Sequence, residues 1–383
     1  MIYLDANATT PILPAVLDEM LSWLREGYAN PSGAHAAGKK ARQAIERARG
    51  QVAALIGVEP SEIIFTGGGT ESVNMALRSL DRLAGPGNAV VSSIEHSAVL
   101  KCVEQGSRGA VRLPVSAGGR IDLDLLDTAL ENAAYLSLMA VNNETGVIQP
   151  LQQVAAIARG KGVPVHTDAI QAVGKIPFNV REMAVDMASL SAHKFHGPKG
   201  VGALYVRSGL RFEPLVYGGG QESGRRSGTE NVAGIVGMGA AAEIAMQSTD
   251  ETRIRSMRDA FEAGVFAEIS GVKGNGDTSF RLANTSHLSF DGCDAAGMLI
   301  LLDEAGIACS AGSACMTGKQ QPSHVQLAMG IPPERAKTSL RFGFSRLNTM
   351  EEALSAVAKV KYAVEKLRRV QGSGVGPVSV YLP

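Results

Sequence analysis

A chain of 383 residues that is 45% hydrophobic and 19% charged is long enough for two or three domains and lacks the composition of a disordered protein. Its 37 basic residues balance 37 acidic ones, which excludes a whole-protein field that would draw in nucleic acid or an anionic membrane surface. The opening MIYLDANATTPILP has no basic segment followed by an apolar one, and no uncharged apolar run approaches the ~20 residues of a bilayer span, so a cytoplasmic protein is expected. Cys102, Cys293, Cys309 and Cys315 form no CxxC pair. A chain of this size needs no disulfide, so reduced thiols are expected, with at least one chemically active.

Ala41, Ile45, Ala48, Val52 and Leu55 recur at helical spacing and predict the first helix. The short apolar runs EIIF, AVVSSI, AVRLPV, YLSLMAV, VPVHT, MASLS and GALYV follow, with helix-compatible stretches between most of them. Such alternation predicts an α/β fold with a mostly parallel sheet covered by helices. Segments 230–247 and 251–269 read as helices. A smaller set then follows: HLSF, a helix over 294–305, an irregular loop at 309–319, the strand SLRFGF and a closing helix from Met350 to about Val370. It predicts a second domain, and the tail QGSGVGPVSVYLP is expected to be loosely held.

In an open α/β sheet, ligands gather at the carboxyl ends of the strands. After EIIF comes TGGGTESVNMAL, which reads either as a glycine-rich turn with a threonine N-cap or as an anion cradle built from Gly69, Thr70 and free helix N–H groups. No Gly-Lys-Ser/Thr follows, so a nucleoside triphosphate is not indicated. His96 follows AVVSSI, and Asn142, Asn143 and Glu144 follow YLSLMAV; each is also compatible with a structural role. Asp168 follows VPVHT with Gln171 close behind, and His193 and Lys194 follow MASLS. His166, Asp168, His193 and His196 offer an alternative metal site, though no HExxH or comparable ligand spacing supports one. Pyridoxal phosphate accounts for more of these features: it needs a lysine for its Schiff base, an aspartate at the pyridine nitrogen, an anion cradle and a flat partner on the ring. Lys194, Asp168, Gly69 with Thr70, and His96 supply one candidate for each.

Taken in order, YLDANATTP, NPSGAH, TGGGTES, EHSAV, NNETG, HTDAIQAVGK, SAHKFHGPKGVG, GGGQESGRRSGTEN and SAGSAC resemble the pyridoxal-phosphate-dependent cysteine desulfurases, the NifS/IscS-like branch of the class V aminotransferases. The resemblance runs nearly to the final helix. It implies an aminotransferase-like α/β fold of type I. A large domain over 15–255, with a mostly parallel seven-stranded sheet, would carry the cofactor. A smaller α/β domain of 1–14 and 256–383 would carry the catalytic cysteine loop at about 309–319. By matching motifs, Lys194 would bind the cofactor covalently and His96 would stack on its ring and shuttle protons. Asp168 would hold the pyridine nitrogen, and Gln171 and Asn143 would address the ring hydroxyl side. Thr70, Ser191 and His193 would hold the phosphate. Thr229, in RSGTEN, would complete that site in a neighbouring subunit, which implies a homodimer. Arg341 would take the substrate carboxylate, together with Asn143, and Cys315 would attack the substrate sulfur.

Two departures from the family pattern stand out. Ala6-Asn7 replaces the usual pair in the N-terminal motif, and CSAGSAC places Cys309 six residues before Cys315. Cys309 reads as a small strand-end residue, with a resolving thiol as the alternative; Cys102 and Cys293 read as structural. The implied reaction converts L-cysteine to L-alanine and leaves a persulfide on Cys315, for delivery to an acceptor such as an iron–sulfur scaffold, a tRNA-thiolation enzyme or a cofactor pathway. A selenocysteine lyase or aminotransferase on the same fold, and a non-catalytic sulfur-transfer scaffold, are the competing readings.

Overall fold

The computed structural model describes residues 1–247, 250–311 and 322–372. Twelve strands follow one another among them. These are β1 (Ile2–Tyr3), β2 (Ile63–Thr66), β3 (Asn88–Ser92), β4 (Ala110–Leu113), β5 (Ala133–Ser137) and β6 (Val165–Asp168), then β7 (Met187–Ser191), β8 (Gly202–Val206), β9 (Val272–Gly274), β10 (Thr285–Phe290), β11 (Ile307–Ala308) and β12 (Ser339–Gly343). Seven of them form one sheet in the order β2-β8-β7-β6-β5-β3-β4. Only β8 runs against its neighbours, β2 and β7. Every residue of β2, β6, β7 and β8 is buried, which is why these segments read as short apolar runs and not as alternating ones.

The helix Ala36–Ile56 buries Ala41, Ile45, Ala48, Val52 and Ile56. His35 caps its start through Gly38 N, and Gly57 ends it at φ 72°. Its partner, Val232–Gln247, is apolar almost all round because it is enclosed. A Cβ on Gly239 would lie 2.7 Å from that of Ala48, and one on Gly237 would lie 2.6 Å from Met20 Sδ, so glycine is what lets these helices approach. The helix Pro14–Arg25, which carries Met20, buries only Val16. Its apolar stripe is therefore too thin to stand out in the sequence.

The antiparallel sheet β12-β10-β9 and the parallel pair β1-β11 pack on a second apolar cluster. It joins Ile2 and Leu4 to Phe261, Phe290, Phe342, Phe344 and the closing helix Met350–Gly372. Phe261 and Phe342 are tilted against each other with ring centroids 4.9 Å apart. The N-terminal residues thus belong to the core of the C-terminal elements, and the chain between Leu4 and Pro14 crosses from one cluster to the other. That crossing passes the carboxyl ends of β6 and β7. Among the described residues no helix is long and apolar enough to cross a membrane.

Candidate active site

A cavity of about 420 Å³ opens where the carboxyl ends of the parallel strands meet the crossing N-terminal segment and β12. It is lined by Gly69, Thr70, His96, Asn143, Asp168, Gln171, Ser191, His193, Lys194 and Arg341. Ten residues from six separate stretches of the sequence are thereby gathered in one place. Thr229 is exposed and lies outside this cavity. Cys315 lies outside the described residues, as does the tail beyond Gly372. Just before the segment that carries Cys315, Ser310 and Ala311 line the cavity, and Ser310 exchanges both backbone hydrogen bonds with Arg341.

The cradle forms because β2 ends in glycines. Gly68 takes φ 147°, a region that favours glycine, and the helix Gly69–Leu83 starts directly after it. Gly68 is therefore the cap, not Thr70. The first-turn N–H groups have no intrahelical carbonyl to bond. Thr70 and Ser191 stand at the same wall, and His193 Nδ1 bonds Thr9 Oγ1 at 3.1 Å. Burial, with Lys194, Lys199 and Lys175 nearby, pushes the His193 imidazole down to about 4, so it is neutral.

Lys194 sits at the end of a short 3-10 turn after β7. Its Nζ donates to the carbonyls of Asn7 and Ala8, each at 2.7 Å. Burial first, then Arg341, lowers it to about 8, against the pull of Asp168 and Asp5. The chain turns away not at a glycine but at His196, whose φ is 68°. That conformation is held by His196 N donating to Thr10 Oγ1 and by the ring Nδ1 donating to the Pro11 carbonyl.

Asp168 is 5% exposed, and one of its oxygens accepts from Ile170 N at 3.0 Å. Burial raises its pKa, against the pull of His96 and Lys194. Such a carboxyl is matched by a cationic N–H reaching it from the cavity. His96 Nδ1 accepts from Ala98 N, capping the helix Ser97–Glu104, so a neutral ring carries its proton on Nε2. Asn142 is spent on structure, accepting from Glu144 N and Thr145 N. Asn143 keeps its side chain at the cavity, while its carbonyl accepts from Arg341 Nη1 at 2.9 Å.

Arg341, 6% exposed, also donates through Nη2 to Asp5 Oδ1 at 2.9 Å. Asp5 had no signal of its own in the sequence beyond standing in the N-terminal motif. Cys309 follows β11 and is pushed up to about 12 by burial and Asp5, which makes it a poor thiolate and argues against the resolving role.

Two buried carboxyls, Glu144 and Glu95, owe their burial to hydrogen bonds with distant parts of the chain, Ser323 and Met139, which no local pattern in the sequence reveals. Glu144 Oε2 accepts from Ser323 Oγ at 2.5 Å, and burial raises it to about 7. Glu95 is fully buried; its Oε1 accepts from Ser92 Oγ and Met139 N, and burial raises it from 4.5 to about 8. The folded protein thus holds a proton that the unfolded chain releases near 4.5. The stabilisation is complete at low pH and is lost as pH rises toward the folded value. Glu95→Gln keeps the shape and removes the titration. Thermal scans should show the variant's Tm falling less than the wild type's between pH 4.5 and about 8; parallel profiles would mean that Glu95 is already ionised in the fold.

The sequence profile of the class-V aminotransferases matches residues 2–355. The chain belongs to the class-V aminotransferase family. It is 46% identical to the cysteine desulfurase of Gluconacetobacter diazotrophicus, over 96% of this chain and 94% of that one. It is 42% identical to the cysteine desulfurase NifS of Azotobacter vinelandii, over 98% and 96%. A solved structure of SspA in complex with cysteine superposes with a TM-score of 0.81 at 35% identity, covering 91% of this chain and all of that one. The class-V aminotransferase fold of this chain is thus shared with cysteine desulfurases along nearly its whole length.

The residues present fit pyridoxal phosphate. The cradle supplies helix N–H donors for a phosphate, Asp168 a buried acid that makes no direct ion pair among the described residues, and Lys194 an amine of lowered basicity. One wall is thereby suited to the phosphate, another to the ring nitrogen, and Lys194 stands between them.

Proposed function

We propose that this cysteine desulfurase converts L-cysteine to L-alanine in the 420 Å³ cavity with pyridoxal phosphate, and passes the sulfur through Cys315 to an acceptor protein. The single observation that carries the reading is the convergence on that cavity of Lys194, Asp168, the Gly69–Thr70 cradle and Arg341. When bound, pyridoxal phosphate supplies an electron sink for the bond to the Cα hydrogen.

The roles of the chain's own residues follow. Arg341 receives the substrate carboxylate, with Asn143 beside it, and Asp5 keeps the guanidinium oriented before substrate arrives. Lys194 would hold the cofactor and supply the amine that takes the Cα proton. Asp168 would keep a proton at the ring nitrogen, Gln171 and Asn143 would address the ring hydroxyl side, and His96 would stack on the ring and shuttle protons. Gly69, Thr70, Ser191 and His193 hold the phosphate, and Thr229 of a second copy completes it in a homodimer. The Cys315 thiolate attacks the substrate sulfur: an S–S bond forms, the Cβ–S bond breaks with its electron pair, and Cβ takes a proton. L-cysteine and a thiol become L-alanine and a persulfide. The large domain of 15–255 and the smaller one of 1–14 with 256–383, and a cytoplasmic location, belong to the same proposal.

A single turnover with L-cysteine tests it. The expected result is one equivalent of alanine per chain and one added sulfur on the Cys315 peptide by mass spectrometry. Turnover of selenocysteine with no product from cysteine would replace this reading with that of a selenocysteine lyase.

A further inference from the structure

HTDAIQAVGK ends in a lysine, Lys175, that the chemistry above does not use. Lys175 is half-buried, and among the described residues no carboxylate pairs with it. Its side chain lines a small cavity of about 40 Å³ that also touches Lys194 and is walled by Gly174, Phe195, His196 and Leu282. Burial, then the charges of Lys194 and Arg341, pushes its pKa well below the usual lysine value. Glu251 and Arg346 are the other charged groups at that cavity, and Asp5 and Asp168 act on the adjoining Lys194. A long side chain held in such surroundings loses rotamer freedom and hydration, so its one side-chain hydrogen-bond partner among the described residues matters.

That partner is Gln171 Oε1, which accepts from Lys175 Nζ. The other end of the amide, Nε2, donates to the Asn7 carbonyl at 2.8 Å. The same carbonyl accepts from Lys194 Nζ at 2.7 Å. Amide oxygen and nitrogen have nearly the same shape, and only their partners decide which way an amide points. Here both ends are assigned: an amine at the oxygen and a carbonyl at the nitrogen. A flipped amide would set Nε2 against Nζ and Oε1 against the Asn7 oxygen, losing both bonds.

We propose that Lys175 is a positioning residue that locks the Gln171 amide, so that Nε2, with the N–H not given to the Asn7 carbonyl, and never Oε1 faces the cavity beside Lys194. The inference rests on the cofactor reading above, in which an electron-rich ring oxygen faces Gln171. A donor there favours the deprotonated chromophore, whereas a carbonyl there would repel that oxygen. The main chain at Lys175 is held separately, through Lys175 N and the Ala172 carbonyl at 3.1 Å, so the side chain can be changed without undoing the turn.

The test uses the full chain reconstituted with pyridoxal phosphate. Lys175→Met keeps the stem and removes the donor. Lys175→Arg keeps a donor, and the small cavity gives it room. The visible absorbance band is titrated with pH, and kcat and KM for L-cysteine are measured. In Lys175→Met the titration midpoint is expected to move up by about one pH unit, and kcat to fall about tenfold with KM changed less than about threefold. Lys175→Arg is expected to return toward wild type. In a Gln171→Leu background, Lys175→Met should change nothing further. If Lys175→Met does not fold, Lys175→Ala takes its place in each comparison. A wild-type band paired with an unchanged midpoint in the Met or Ala variant overturns the role of Lys175 alone. A shift that persists in the Gln171→Leu background overturns the route through Gln171. A wild-type chain that binds no pyridoxal phosphate overturns the cofactor reading and the inference with it.

Discussion

Lys194→Ala is expected to lose the covalent attachment of the cofactor and at least about 10⁴-fold in kcat, because the proposed reaction asks one side chain for both the attachment and the proton removal. The physical case rests on its surroundings. Two carbonyls orient Nζ, and burial with Arg341 brings its pKa to about 8. Relative to an ordinary lysine, that shift raises the free-amine fraction at neutral pH by roughly two orders of magnitude. The fold is not expected to suffer, because the side chain ends in a cavity and not in a packed core. Absorbance spectra, kcat and thermal unfolding of the variant separate these effects. A small primary amine added to the solution should restore a fraction of the rate, since truncation leaves space beside the Asn7 and Ala8 carbonyls. A variant keeping more than about a tenth of wild-type turnover would hand the proton removal to another group, with His96 the first candidate.

The large sheet was legible because its strands are buried on both faces. MASLS and GALYV coincide with β7 and β8, and YLSLMAV overshoots β5 because the chain stays buried through Val141 and goes on bonding β6, Leu138 N to the His166 carbonyl and Ala140 N to that of Asp168. What escaped was structure whose signal lies in other parts of the chain. Nothing in MIYL announces a strand, since β1 exists only by pairing with β11. Pro14–Arg25 is hidden by its single buried residue, Val16. The site divides in the same way. Lys194, Asp168 and His96 stand at strand ends, where chemistry is expected. Asp5, the Asn7 and Ala8 carbonyls, and Lys175 act because the N-terminal segment crosses between the two apolar clusters, and no local pattern records a crossing. The Ala6-Asn7 departure is explained by contacts: Asn7 is 1% exposed, donating through Nδ2 to Thr285 Oγ1 and accepting at Oδ1 from Asn284 Nδ2.

Cys315→Ser is the second large effect, and it differs from the first in kind. The cavity residues are untouched by it, so the variant should bind pyridoxal phosphate and show the wild-type visible band. L-cysteine should still perturb that band, since Arg341, Asn143 and Lys194 remain. Sulfur transfer should stop, because a serine hydroxyl near neutral pH is neither ionised nor a match for sulfur in attacking a sulfur–carbon bond. Steady-state alanine formation is expected to fall by at least about 10³-fold, with no added sulfur anywhere on the protein by mass spectrometry. Cys309 does not substitute: its thiol is held at about 12 by burial and by Asp5, where little thiolate exists. The flanks support the placement of the transfer at this cavity. Ser310 is tied by two backbone bonds to Arg341, the arginine proposed to take the carboxylate. On the other flank, Ser323 is tied to Glu144 and caps the helix His324–Ala328. Normal persulfide on Cys309 in the serine variant would relocate the nucleophile, and normal free sulfide with alanine would remove Cys315 from the reaction.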